Sequence, residues 1–194
     1  MSHQLQLMLQ QAIQAFESGN LDSAEIILKR VLQVDSKNLP ALHVYGFIKA
    51  SQFNFREAAD LWIRATRINP NDAFIHYNLA KALSDSGNDI KAIAHHKKAV
   101  ELAPNNPETW LNYGKTVSNL GSHEIALDYY KKALNIDPNY VQANLNIGVS
   151  LHELKRYEEA ITAFDKALSL KPDYAEAWSN KGATLNELKR YEEA

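Results

Sequence analysis

Cysteine is absent from the 194 residues, so the chain has no disulfide framework, no thiolate metal ligand and no cysteine nucleophile. Glycine and proline are scarce, at seven and six residues, and most of them recur at regular intervals. They punctuate the chain and mark no linker. An excess of one charge is also lacking: 21 Lys and Arg stand against 23 Asp and Glu, spread evenly. Without a basic stripe to follow a phosphate backbone, nucleic acid is not an expected partner. No run of about 18 apolar residues occurs, so no membrane insertion is expected. The opening stretch MSHQLQLMLQQAIQAF has no basic n-region and is interrupted by Gln too often to be a signal peptide. These absences lead to the expectation of a soluble, cytoplasmic protein.

What the chain does have is a period. Residues 141–173, VQANLNIGVSLHELKRYEEAITAFDKALSLKPD, moved back by 34 positions fall on 107–139, PETWLNYGKTVSNLGSHEIALDYYKKALNIDPN. The octet Glu-Leu-Lys-Arg-Tyr-Glu-Glu-Ala occurs at 153–160 and again at 187–194. Self-similarity at this spacing means a stack of one supersecondary unit, each copy touching only its neighbours. Pro70, Pro104, Pro138 and Pro172 keep the same interval of 34, and Ser36 stands where the series would begin. With this proline as the thirty-second place, the repeats run 5–38, 39–72, 73–106, 107–140 and 141–174, followed by a partial one at 175–194. The whole of 1–194 reads as one domain.

Each unit carries two helical segments. In 107–140, Trp110, Tyr113, Gly114 and Val117 share one face of the first, and Ala126, Tyr130, Ala133 and Leu134 one face of the second. Asn119-Leu120-Gly121-Ser122 separates them, and Asp137-Pro138-Asn139 ends the second. Small residues recur where helices must approach closely. The eighth place holds Ala12, Gly46, Ala80, Gly114, Gly148 and Gly182, and the twentieth Ala24, Ala58, Ala92, Ala126, Ala160 and Ala194. The twenty-seventh holds Val31, Ala65, Ala99, Ala133 and Ala167, while Trp62, Tyr130 and Phe164 fill the twenty-fourth. A large side chain at the small places would overpack the crossing.

These positions resemble the tetratricopeptide repeat, whose signature sets Trp, Leu, Gly and Tyr in the first helix, Ala, Phe and Ala in the second, and then Pro. The likeness covers Leu5 to Ala194. It implies an all-α, right-handed solenoid of helix–turn–helix repeats whose first helices line a concave groove. The expected role is protein–protein interaction, with a partner protein or extended peptide held in that groove.

On this resemblance the groove takes its lining from the second, fifth, sixth, ninth, twelfth and thirteenth places. The sixth carries Asn78, Asn112, Asn146 and Asn180, a ladder that can pair with a peptide backbone through amide donors and acceptors; the same residues could equally cap and solvate. Asn78-Leu79-Ala80 and Asn146-Ile147-Gly148 resemble the repeats of O-linked N-acetylglucosamine transferase. That likeness opens an alternative, a substrate-recruiting arm of a protein-modifying enzyme. Phe47, Phe74 and Tyr77 offer an apolar patch, or simply pack between repeats. Lys81 and Lys115, at the ninth place of adjacent repeats, can attract an acidic segment or stay solvated, and Glu108, Glu153, Glu176 and Glu187 make the far end more acidic. No repeat has Lys or Arg at its second or sixth place, so a carboxylate clamp for a C-terminal tail is not expected.

The ends differ from the middle. The first unit has Gln11 and Ala15 where most other units carry larger apolar groups, and Ser36 for proline, and its Gln-rich face tolerates water, as suits a terminal cap. At the other end, Trp178, Leu185 and Leu188 are expected to lack cover. Either the chain is cut from a longer protein, or this face packs on another copy in a self-assembling scaffold. His76 and His96 occupy packing places, and His95-His96 point to different faces of one helix. No His-Glu-x-x-His spacing, phosphate loop or nucleophile elbow occurs. Neither catalytic residues, a metal nor a cofactor is expected.

Overall fold

The computed structural model describes residues 3–189; Ala194, at the twentieth place of the partial repeat, lies outside them. The described residues form helices α1 (His3–Glu17), α2 (Leu21–Val34), α3 (Leu39–Ser51), α4 (Phe55–Ile68), α5 (Ala73–Asp85), α6 (Asp89–Leu102), α7 (Pro107–Asn119), α8 (His123–Ile136), α9 (Val141–Glu153), α10 (Tyr157–Leu170) and α11 (Ala175–Glu187). Odd-numbered helices are first helices of a repeat and even-numbered ones second helices, so the fold is an all-α solenoid of helical hairpins. No described helix is long and apolar enough to cross a membrane. The chain forms two compact units, one ending at Leu102 and the other beginning at Ala103. In the first, α1 packs on α2 and α3, and each helix from α2 to α6 on its predecessor; in the second, α7 packs on α8 and α9, and α9 on α8, α10 and α11.

Local chemistry sets the helix ends. In α4 the Asn54 side chain accepts from the Glu57 N–H at 3.3 Å, and its amide donates to Glu57 Oε2 at 2.9 Å. The first of these bonds satisfies a donor that a helix N-terminus leaves open. Asn20, Asn38, Asp72 and Asn106 cap α2, α3, α5 and α7 in the same way. The turn inside each hairpin passes through positive φ at the fifteenth place: Gly19, Gly87 and Gly121 at 78–80°, and Phe53, Lys155 and Lys189 at 59–60°. Glycine takes that conformation freely; the other three do so against their Cβ.

The small places are buried as the pattern requires. Ala24, Ala58, Ala92, Ala126 and Ala160, and likewise Val31, Ala65, Ala99, Ala133 and Ala167, are wholly inaccessible. Glycine at the eighth place answers an aromatic ring at the twenty-fourth. A Cβ on Gly46 would lie 2.6 Å from Trp62 Cε2, and one on Gly114 or Gly148 would run into the ring of Tyr130 or Phe164. Where the twenty-fourth residue is His96 or Leu28, the eighth is Ala80 or Ala12.

A second recurring contact crosses the border between repeats. Trp110 Nε1 donates to the Pro104 carbonyl and Trp178 Nε1 to that of Pro172, both at 2.8 Å. His76 Nε2 makes the equivalent contact with Pro70 O at 3.0 Å. Each donor is the fourth residue of its repeat and each acceptor the thirty-second of the repeat before. One expectation is corrected here. Of the three residues expected to lack cover, Leu185 is 1% exposed and Leu188 half-buried, and only Trp178 is exposed, at 53%. Leu185 is buried on α11, which packs against α10 and α9.

Candidate functional site

The first helices carry all nine candidate residues. In the first unit they converge. Phe47 on α3 stacks obliquely with Phe74 on α5, ring centroids 5.6 Å apart, and meets Trp62 edge-on at 5.4 Å. Phe47, Phe55, Trp62, Asn78, Lys81 and Asp85 line a pocket of about 160 Å³ between α3 and α5. Phe74 is half exposed, His43 lies 5.9 Å from it, and Tyr77 is half-buried one turn further along α5. Lys81 is held by Asp85 at 2.8 Å, so its charge enters the pocket already paired.

The second unit repeats this geometry with other side chains. Val149, His152, Glu153, Phe164, Asn180 and Ala183 line a pocket of about 160 Å³ between α9 and α11. Position by position, Val149 answers Phe47, Phe164 answers Trp62, Asn180 answers Asn78 and Ala183 answers Lys81. His152 Nδ1 lies 3.0 Å from Thr184 Oγ1 in the wall. Lys115, on α7, is exposed.

The four asparagines are not equivalent. Asn78 is 6% exposed, and its amide donates to Phe74 O at 2.8 Å. Asn112 makes the same bond to Glu108 O at 3.0 Å. Each thus spends one amide hydrogen on the carbonyl four residues back. Asn146 does not: its Nδ2 is buried without a hydrogen-bond partner.

Several polar groups escaped the sequence reading. In the first unit Lys49 Nζ, almost buried, sits 2.7 Å from Glu25 Oε1, while Tyr45 OH donates to Glu57 at 3.1 Å and reaches Glu25 at 3.3 Å. Burial alone would raise the Glu25 carboxyl, but hydrogen bonds from Lys29 and Lys49 hold it down to about 2. Tyr45 and Lys49 stand 20 and 24 residues from Glu25, and no local motif announces these two contacts. In the second unit Ser118 Oγ lies 3.1 Å from His123 Nδ1. The same two places pair Ser84 with Asp89, so this contact belongs to the repeat's turn and is no catalytic dyad. His76 and His95 stack and share a hydrogen bond between their Nδ1 atoms at 3.0 Å, and His96 is wholly buried, its imidazole pushed down to about 3 by that burial and by His95.

Helical hairpins in register, small residues at the crossings and pockets between successive first helices define a repeat protein built to present a surface. Family profiles described as tetratricopeptide repeat match residues 71–139 and 129–162, and one described as TPR repeat matches 150–189. Together they span 71–189, where the chain carries tetratricopeptide repeats. Among solved structures it is similar to YrrB, described as a TPR protein with an unusual peptide-binding site, with 25% identity over 90% of each chain and a TM-score of 0.81. It also resembles MamA, at 22% identity over 91% of this chain and 96% of that one with a TM-score of 0.83. For MamA from Desulfovibrio magneticus RS-1 the values are 16%, 90%, 99% and 0.84; both MamA likenesses concern the fold. Compared with curated proteins by sequence, the chain has no match.

Proposed function

We propose that the chain is a protein-interaction module that binds an extended polypeptide along its first-helix faces. The observation that carries this reading is one pocket design used in both units. A twenty-fourth-place ring and the ninth- and twelfth-place side chains of one repeat face the sixth-place asparagine of the next. Such a pocket accepts an apolar side chain, while the asparagine at its rim supplies amide groups to the adjoining peptide bond. The two pockets differ in charge: Lys81 and Asp85 border the first, and Glu153 borders the second without a lysine or arginine in its lining. Different ligand side chains are therefore selected at the two. Phe74 and Tyr77 extend the apolar surface of the first, and Lys115 favours an acidic segment beside α7. The peptide-binding site of YrrB supports the same class of ligand.

A linear peptide selected from a random library on the immobilised protein provides the test. Replacing Asn78, Asn112, Asn146 and Asn180 with Ala together is expected to weaken that peptide about tenfold or more, at roughly 0.5–1.5 kcal/mol per hydrogen bond. Isothermal calorimetry reads the affinity and circular dichroism checks the fold. Should buried Asn78 prove necessary for folding, the triple variant that keeps it gives the same readout. Undiminished affinity rejects the ladder. The asparagine ahead of Leu79-Ala80 and Ile147-Gly148 favours a second reading, an arm that presents substrate chains to a protein-modifying enzyme such as a glycosyltransferase. Exposed Trp178 favours a third, assembly of copies into a scaffold.

A further inference from the structure

A cavity of about 500 Å³ opens in the first unit, where the turn joining α2 to α3 meets the last turn of α4. Ser36, Lys37, Arg64, Arg67 and Ile68 line it: three cations, one apolar wall and no carboxylate. Arg64 is held in place, since its Nη2 donates to the Ser36 carbonyl at 3.0 Å, a neutral acceptor that leaves the charge uncompensated. Among the described residues the ion pairs engage Lys29, Lys49, Lys81, Arg156 and Lys181, and none of the three cations here. Asp35, close in sequence, is spent on the turn, where its carboxylate accepts from the Lys37 N–H at 3.1 Å and the Asn38 amide at 3.2 Å.

The cluster departs from the repeat. The twenty-sixth place is basic throughout, as Arg30, Arg64, Lys98, Lys132 and Lys166, so Arg64 alone carries little weight. Lys37 and Arg67 are added only here. The thirty-third place otherwise holds Asn71, Asn105, Asn139 or Asp173, and the twenty-ninth Gln33, Glu101, Asn135 or Ser169. Ser36 stands in place of proline, and the fourth residue of the next repeat is Leu42, which has no side-chain N–H. The carbonyl that His76, Trp110 and Trp178 satisfy elsewhere is thus left for Arg64, which is drawn across the mouth of the cavity. The α4 C-terminus would favour a cation such as Arg67 on its own account; it does not explain Lys37 or the direction of Arg64.

We propose that this cavity binds a phosphoryl group. A phosphate monoester brings a charge of about −1.5 to −2 and three acceptor oxygens to a site with three cationic donors. Guanidinium groups meet it with paired N–H bonds, and a carboxylate would leave most of the positive charge unmatched. Ile68 provides contact for the carbon atoms that carry the phosphoryl group. The site lies among turn and second-helix residues and does not depend on the peptide-binding reading above.

Backbone amide spectra recorded by nuclear magnetic resonance at constant ionic strength provide the test, with inorganic phosphate, a phosphoserine peptide and acetate as separate probes. Saturable shifts at Ser36, Lys37, Arg64, Arg67 and Ile68 are expected with both phosphoryl probes. Lys37→Gln and Arg67→Gln should each weaken them about tenfold, as loss of a charge-assisted hydrogen bond does. Neither side chain makes a hydrogen bond among the described residues, so neither variant should unfold. Tighter binding of the phosphoserine peptide than of inorganic phosphate would place the group on a protein partner; the reverse order would place it on a small molecule. Acetate binding as tightly as phosphate, or shifts that survive in the double variant, would overturn the proposal.

Discussion

Three glycines of the first helices exist because three rings do. Gly46, Gly114 and Gly148 leave the space that Trp62, Tyr130 and Phe164 occupy, and each ring is at most 2% exposed and cannot swing away into solvent. Alanine is tolerated at the same place only where the facing residue is smaller, as at Ala80 opposite His96. Gly148→Ala should therefore destabilise the second unit by about 1–3 kcal/mol despite the better helix propensity of alanine. Phe164→Leu placed in the same chain should recover part of the loss, and urea unfolding of the single and double variants measures both. Independent, additive effects would show that the two positions do not share space.

At the scale of the hairpin, the turn is the element that the sequence disguised. Gly19, Gly87 and Gly121 announce a positive φ, but Phe53, Lys155 and Lys189 adopt it as well, and nothing in a phenylalanine or a lysine says so. There the register of the repeat overrides local preference. An L-residue in that region costs about 1–2 kcal/mol, and glycine's extra freedom in the unfolded chain returns roughly 0.4–1 of it. Lys155→Gly should accordingly raise stability by up to about 1 kcal/mol, seen as a higher urea midpoint at unchanged slope; a lower midpoint would mean that Lys155 contributes more through its side chain than its backbone costs. The regular part of the fold was legible because alanine, glycine and proline recur every 34 residues at places where sterics admit little else. The bonds from Trp110 and Trp178 were not legible, because donor and acceptor belong to different repeats. For Leu185 the pattern gave the helix face correctly and the cover wrongly. Of the candidate site, Phe47, Asn78 and Lys81 were found by their places, whereas the part played by Trp62 and Phe164 as pocket walls needed the packing of successive hairpins to become visible.

Across the whole molecule, the largest downward pKa shifts fall in the unit that ends at Leu102. His43, His95 and His96 are all held below their ordinary values, chiefly by burial, and Glu25 is held down to about 2 against burial by Lys29 and Lys49. Between pH 6.5 and about 3 the unfolded chain binds a proton at His96 that the folded chain refuses. Between 4.5 and about 2 the same holds at Glu25. In both windows the unfolded state carries more protons, so stability falls as the pH is lowered. Hydrogen exchange, corrected for its intrinsic pH dependence, should show helices α2–α6 losing protection before α8–α10 on acidification from neutral pH. Loss in the reverse order would mean that these groups do not govern the acid limb.

The ring N–H that reaches back to a proline carbonyl bears on how such a chain can be divided. A repeat counted from its first helix leaves its fourth residue's partner behind: a piece starting at Pro107 would carry Trp110 without the Pro104 oxygen it donates to. The compact second unit instead begins at Ala103, one residue ahead of that proline, and keeps the bond whole. The segment that could be moved, swapped or duplicated with this bond intact is therefore offset from the sequence repeat. Its seam lies just before the proline, not after the turn that the proline begins.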